Sequence, residues 1–143
     1  MKLAVLGIDG QIAPLVAAAR RRGDEIVFAC DVAGSPEAAV LDGVPRADAW
    51  EALVDPRSCD AVLVGAEGWN EQRAEGVRKL VQAGRTLVLA QPLELSMLWA
   101  YELDMIRKDS GARLIPVLPD RLQPFVARLK EAIEAGLAGA GSL

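Results

Sequence analysis

The stretch GIDGQIA, Gly7 to Ala13, follows the apolar run KLAVL and precedes APLVAAARRRG. A glycine turn between a buried strand and a helix gathers backbone N–H groups that bind an anion. The spacing G-x-G-x-x-G suits the pyrophosphate of a dinucleotide. Counted from Gly7, the second glycine place holds Asp9 and the third holds Ile12, with Gln11 between them. Gly10 restores the turn if the loop is one residue longer. A carboxylate beside two phosphates costs on the order of 1 kcal/mol in solvent and more when buried. Asp9 therefore opposes the phosphates, points to solvent, or caps the helix that follows.

A second acid belongs to the same pattern. Asp31 closes the apolar run EIVFAC about 24 residues after Gly7, near the place where an acid bonds the adenosine ribose hydroxyls. Its charge repels a 2′-phosphate, which favours NAD over NADP. The alternative is a strand-ending acid facing water. Other chemistries are excluded by what is missing. The 143 residues include no histidine, which removes Ser-His-Asp and Cys-His nucleophilic sites and the commonest general base. Cys30 and Cys59 form no metal or redox spacing, so no metal is expected.

The elements that must position these residues follow from periodicity. Lys2–Leu6, Glu25–Cys30, Ala61–Gly65, Thr86–Ala90 and Arg113–Leu118 read as strands. Val44 begins a short edge strand in which Pro45 is tolerable, and Pro116 argues that the last strand lies at an edge. Helices are expected over Ala13–Arg22, Asp48–Val54, Asn70–Ala83 and about Ser96–Lys108, with a last one carrying Leu122, Phe125, Val126, Leu129 and Ile133. Ile12, Leu15, Val16 and Ala19 face inward on the first helix, and Ala74, Val77, Leu80 and Val81 on the third. Strands that alternate with helices and are apolar on both faces predict an α/β fold. We expect a doubly wound, mostly parallel, Rossmann-like sheet of order 3-2-1-4-5-6.

Composition sets the class. A hydrophobic share of 52% and a charged share of 25% describe a globular chain, and one domain of this length buries roughly 68–70% of its unfolded surface. The formal net charge is −4 with no basic stripe, so no nucleic acid partner is expected. Arg20-Arg21-Arg22 reads as a solvated helix end. No apolar run approaches the roughly 18 residues that span a bilayer, and Met1 leads straight into a strand pattern. A reduced, cytoplasmic setting without membrane contact is the expectation.

The later segments carry a resemblance. DAVLVGAEGWNEQRAEGVRKLVQAGRTLVLAQPLELS is similar to the Gfo/Idh/MocA oxidoreductases, the group of glucose-fructose oxidoreductase and inositol dehydrogenase. In that family the strand that begins here at Asp60 leads to a Thr-Pro-Asn-like turn, a helix ending Ala-Gly and a strand ending Glu-Lys-Pro. The Ala-Gly falls on Ala83-Gly84, the Glu-Lys-Pro on Ala90-Gln91-Pro92, and a later arginine, proline and lysine on Arg121, Pro124 and Lys130. The resemblance implies a nicotinamide dinucleotide held by Gly7, Asp9, Gly10, Gln11, Ile12 and Asp31 together with Ala66, Glu67, Gly68, Trp69, Gln91 and Pro92.

The departures bear on activity. The family lysine that positions substrate and cofactor is here Gln91, which has no charge and no titratable proton. The Thr-Pro-Asn turn has become Ala66-Glu67-Gly68-Trp69, the usual histidine is absent, and Glu67 adds a second acid near the cleft. Trp69 stacks on a ring or simply packs. Family members continue into a second α/β domain. Here LKEAIEAGLAGAGSL, with Gly136 and Gly139, resembles the entry to that domain and stops at Leu143. The expectation is a single dinucleotide-type domain over 1–143, a lone domain or a fragment, with no catalytic residue of its own.

Two segments could seek a partner. Trp99, Leu103 and Ile106 share one helix face, while Leu98, Tyr101 and Met105 share its neighbour. Packing on the sheet needs only one such stripe. The Leu98/Trp99/Tyr101 helix and the C-terminal helix are the expected homo-oligomer surfaces, unless both simply pack on the sheet. The competing functions are a non-enzymatic interaction module with a vestigial cleft, and a response-regulator-like domain. The latter needs a strand lysine where Gln91 stands.

Overall fold

The computed structural model describes residues 1–93, 96–119 and 123–136. Five parallel strands form one sheet: β1 (Lys2–Leu6), β2 (Glu25–Cys30), β3 (Ala61–Val64), β4 (Thr86–Leu89) and β5 (Arg113–Pro116). Their order is β2-β1-β3-β4-β5. Every residue of β3 is buried, and so is all of β1 after Lys2, as strands covered on both faces require. The expected edge position of Pro116 is met: β5 pairs only with β4.

The outermost strand expected at Val44 is present only as a trace. Ala29 of β2 forms a single parallel bridge with Arg46. Its N–H donates to the Pro45 carbonyl and its own carbonyl accepts from Ala47, both at 2.9 Å. Pro45 has no N–H, and Gly43 turns the chain just before it with a φ of 78°, so the ladder cannot lengthen. The neighbour relations of the expected order hold, with six strands reduced to five plus one bridge.

Helices cover the sheet. In α1 (Ile12–Arg21), Ile12, Val16 and Ala19 are buried, whereas Leu15, expected inside, lies at the surface. The expected helix at Asp48–Val54 contracts to a 3-10 turn, Trp50–Leu53, and a second 3-10 turn spans Pro36–Leu41. In α2 (Glu71–Gln82) the Asn70 side chain accepts from the Arg73 N–H at 2.9 Å, a capping bond that fixes where the helix begins. Val77, Leu80 and Val81 pack inward from it, and Ala74 is half-buried. In α3 (Met97–Ser110) the Ser96 hydroxyl caps the first turn through Trp99 N–H, and Gly111 ends the helix in a left-handed conformation. In α4 (Pro124–Glu134) no residue is buried. Arg121, Leu122, Gly139 and Leu143 lie outside the described residues.

The chain passes from β1 outward to β2 and then returns across β1 to lay down β3. That reversal opens a crevice beyond the carboxyl ends of β1 and β3, the place where open α/β sheets bind ligands.

Candidate cofactor cleft

The crevice is built around a close approach of two backbones. Gly7 ends β1 with a φ of 70°, and a Cβ on Gly65, just after β3, would lie 2.7 Å from the Gly7 backbone. No side chain fits at Gly65 without separating the two strand ends. Gly10 is different. It has no left-handed φ, and a Cβ there would meet nothing, so it is not the residue that makes the turn.

Asp9 settles among its three alternatives as a cap. The residue is 7% exposed. Oδ1 accepts from Gln11 N–H and Ile12 N–H, each at 2.9 Å, and the Asp9 carbonyl accepts from Ala13 N–H at 2.9 Å. This is the N-cap pattern, in which a carboxylate satisfies helix-terminal donors with no internal partner. Oδ2 accepts from Ala66 N–H at 2.6 Å. One carboxylate thus joins the β1 turn, the start of α1 and the loop after β3, and it takes two donors, Gln11 N–H and Ile12 N–H, that the turn would offer an anion.

Asp31 stands at the end of β2 with a φ of 50°, uncommon for a residue other than glycine and tolerated best by Asn and Asp. Arg73 of α2 holds it there. Its side chain is 3% exposed. Its Nε donates to Asp31 Oδ2 at 2.8 Å, and Nη2 lies 2.7 Å from the same oxygen and 3.2 Å from the Asp31 carbonyl. Nη1 donates to the Gly65 carbonyl at 3.0 Å and the Glu67 carbonyl at 2.6 Å. Four hydrogen bonds and the ion pair with Asp31 surround the guanidinium, the condition under which a buried charge is tolerable. The same group covers Gly7, where a Cβ would meet its Cζ at 2.5 Å. Asn70 Nδ2 also reaches Asp31 Oδ2, at 3.4 Å. These contacts fall on Oδ2, and the Asp31 side chain is 46% exposed, so Oδ1 remains available to a further donor.

The remaining expected residues surround this centre. Gln11 clasps the backbone of Gln91: its Nε2 donates to the Gln91 carbonyl at 2.5 Å, and its Oε1 accepts from Gln91 N–H at 3.1 Å. The Gln91–Pro92 peptide is cis, and Pro92 is exposed, like Glu67 and Gly68. Ala66 and Trp69 are half-buried. Trp69 meets Trp99 edge-on, with ring centroids 5.6 Å apart and planes at 81°, so it packs against its own chain. Trp99 consequently does not join the exposed face expected of it.

Two cavities flank the Asp31–Arg73 pair, which lines both. A smaller one of about 310 Å³ lies between Ile8, Ser35, Glu67 and Gly68. A larger one of about 810 Å³ lies between Cys30, Trp50, Glu51, Glu71 and Arg78. Cys30 Sγ contacts the Ala49 carbonyl at 3.4 Å. Burial, reinforced by Asp31 and Glu51, pushes its thiol up to about 11, so it is no nucleophile at neutral pH. Among the described residues no group of three His, Cys, Asp or Glu side chains is placed to hold a metal, and no helix is long and apolar enough to cross a membrane.

The structure thus brings Gly7, Asp9, Gln11, Asp31, Ala66, Glu67 and Gln91 to one crevice. Sequence reasoning passes over Arg73. The signal was present: Arg73 stands four residues before Val77 and seven before Leu80, an arginine on the apolar stripe of an amphipathic helix. A charge there must find a buried partner.

No family model matches the chain, and no curated protein matches it. Solved structures do. WlbA dehydrogenase from Bordetella pertussis, in complex with NADH and UDP-GlcNAcA, superposes with a TM-score of 0.77 at 22% identity, over 96% of this chain and 43% of that one. WlbA from Chromobacterium violaceum, also with NADH and UDP-GlcNAcA, gives 0.79 at 16%, over 97% and 41%. Biliverdin reductase from Synechocystis sp. PCC 6803, in complex with biliverdin and NADP+, gives 0.70 at 23%, over 99% and 44%. These are Gfo/Idh/MocA-type oxidoreductases, so the resemblance read from the sequence holds at the level of the fold. The chain spans less than half the length of each.

Proposed function

We propose that this chain is a nicotinamide-dinucleotide-binding domain of the Gfo/Idh/MocA oxidoreductase type, with little or no hydride transfer of its own. The observation that carries the reading is Asp31. It ends β2 beside the strand-order reversal, it is oriented by a buried arginine through one oxygen, and its other oxygen is left for a ribose hydroxyl. The 310 Å³ cavity that Asp31 lines offers room beside its carboxylate. The neighbours of the same fold that hold NADH or NADP+ support the choice of ligand. The Asp31 charge favours NAD over NADP.

The dinucleotide, when bound, supplies a hydride donor or acceptor at its nicotinamide ring. What this chain adds is binding and orientation. Gln91 at the end of β4 has no proton to give or take, and its backbone is already tied to Gln11. The adenosine side of the cleft fits its ligand. The diphosphate side does not fit as it stands, because the N–H groups of Gln11 and Ile12 already bond Asp9.

Calorimetric titration with NAD+, NADH, NADP+ and NADPH tests the reading. Saturable binding of NAD+ or NADH is expected, with the NADP forms weaker. Asp31→Asn should weaken NAD+ by roughly tenfold or more, since a hydrogen bond to a charged group contributes about 1.5–3 kcal/mol. Absence of binding by all four at millimolar concentration would sink it.

A second reading has its own observation. α4 buries none of its residues, and Leu98 and Tyr101 of α3 are also exposed. These apolar surfaces support self-association, as a property beside nucleotide binding or in place of it.

A further inference from the structure

We infer that Asp9 is an internal occupant of the diphosphate seat, and that a dinucleotide binds this cleft only by displacing it. The inference rests on the dinucleotide reading of the cleft and deepens it, by naming the residue that sets which nucleotides the site prefers.

Three observations converge. The Asp9 carboxylate accepts from Gln11, Ile12 and Ala66 N–H groups at 2.6–2.9 Å, so the Gln11 and Ile12 donors of the turn are not free for a phosphate. Its side chain is almost completely buried, so it cannot swing to solvent without breaking all three bonds. The adenosine side is arranged differently: the Asp31 side chain is half exposed and lines an open cavity, with its arginine contacts on Oδ2. An anion arriving at the turn meets a fixed negative charge where a glycine-rich turn would present bare N–H groups. A nucleoside without phosphates meets no such opposition. The cleft in this state prefers adenosine to what its fold would otherwise favour, and Asp9 is the specificity-determining residue.

The test compares wild type with Asp9→Gly and Asp9→Ser, titrated with adenosine, NAD+ and inorganic pyrophosphate. Serine keeps a shorter, neutral capping oxygen, so at least one variant should retain the fold, checked by circular dichroism and thermal melting. On the wild type, NAD+ should bind no more than a few-fold more tightly than adenosine. Each variant should gain tenfold or more for NAD+ and for pyrophosphate, with adenosine unchanged. Wild type binding NAD+ a hundredfold more tightly than adenosine would overturn the inference whatever the variants do. So would variants that match wild type for both NAD+ and pyrophosphate, and if NAD+ still bound, the dinucleotide reading would survive. A gain for pyrophosphate alone, with neither adenosine nor NAD+ bound by any protein, would uphold the role of Asp9 and remove the dinucleotide reading.

Discussion

Arg73 is the side chain on which the cleft depends. Its guanidinium ties α2 to the end of β2, the end of β3 and the loop that follows. Arg73→Ala should cost about 3 kcal/mol in urea unfolding, toward the low end for a broken buried pair because Asp31 is half exposed. Arg73→Lys should not rescue it, since one ammonium cannot serve acceptors spread across a planar fork. A loss under about 0.5 kcal/mol, the range of an ordinary surface change, would show that the guanidinium is not what holds the strand ends together. Cys30 makes a prediction of the opposite kind. Its thiol is raised from 9.0 to about 11, so the folded state holds this proton more tightly than the unfolded one. The stability linked to it is fully present below pH 9 and is lost as the pH rises through about 11. Thiolate at pH 8 is roughly 100-fold scarcer than in an ordinary cysteine, so alkylation by iodoacetamide should be slow until the protein is unfolded. Cys30→Ser should flatten the pH dependence of the urea midpoint between pH 9 and 11.

Among the elements, α3 and α4 differ in how they meet the sheet. α3 spends one stripe inward: Leu103 is buried, Trp99 and Ile106 are half-buried, and Trp99 braces Trp69 of the cleft loop. Its other stripe, Leu98, Tyr101 and Met105, stays outside. α4 carries Phe125, Leu129 and Ile133 at i, i+4 and i+8, all exposed, with Phe125 at 75%. An amphipathic helix that buries nothing gains little from its own domain. If the self-association reading is right, light scattering should give a mass above that of one chain at micromolar concentration. Phe125→Ser combined with Ile133→Ser should return it to monomer with folding stability changed by less than about 0.5 kcal/mol. A wild-type monomer at high concentration would end that reading.

At the scale of the whole molecule, much of the fold is legible in the sequence because its signals are local. Apolar runs of strand length, helical stripes and glycine stops are each contained in a short window, and among the described residues the five strands of the sheet and four of the five expected helices follow from them. The expected outer strand failed where Gly43 and Pro45 deny it a ladder. Leu15 failed because α1 presents a narrower face to the sheet than the sequence stripe suggests. Asp9 and Asp31 could be named as candidates because their spacing from Gly7 is fixed along the chain. Their states could not. Read along the chain alone, the residues specify an alternating α/β fold and the turn at Gly7, and they include no histidine. Folding in three dimensions settles that Asp9 caps α1 and also binds Ala66, that Arg73 covers Gly7 and grips Asp31, and that Trp69 packs on Trp99. The physical reason is the same in each case. A polar or aromatic side chain chooses among competing partners, and most of those partners lie tens of residues away, brought within reach only when β3 is laid beside β1 and β4 beside β3.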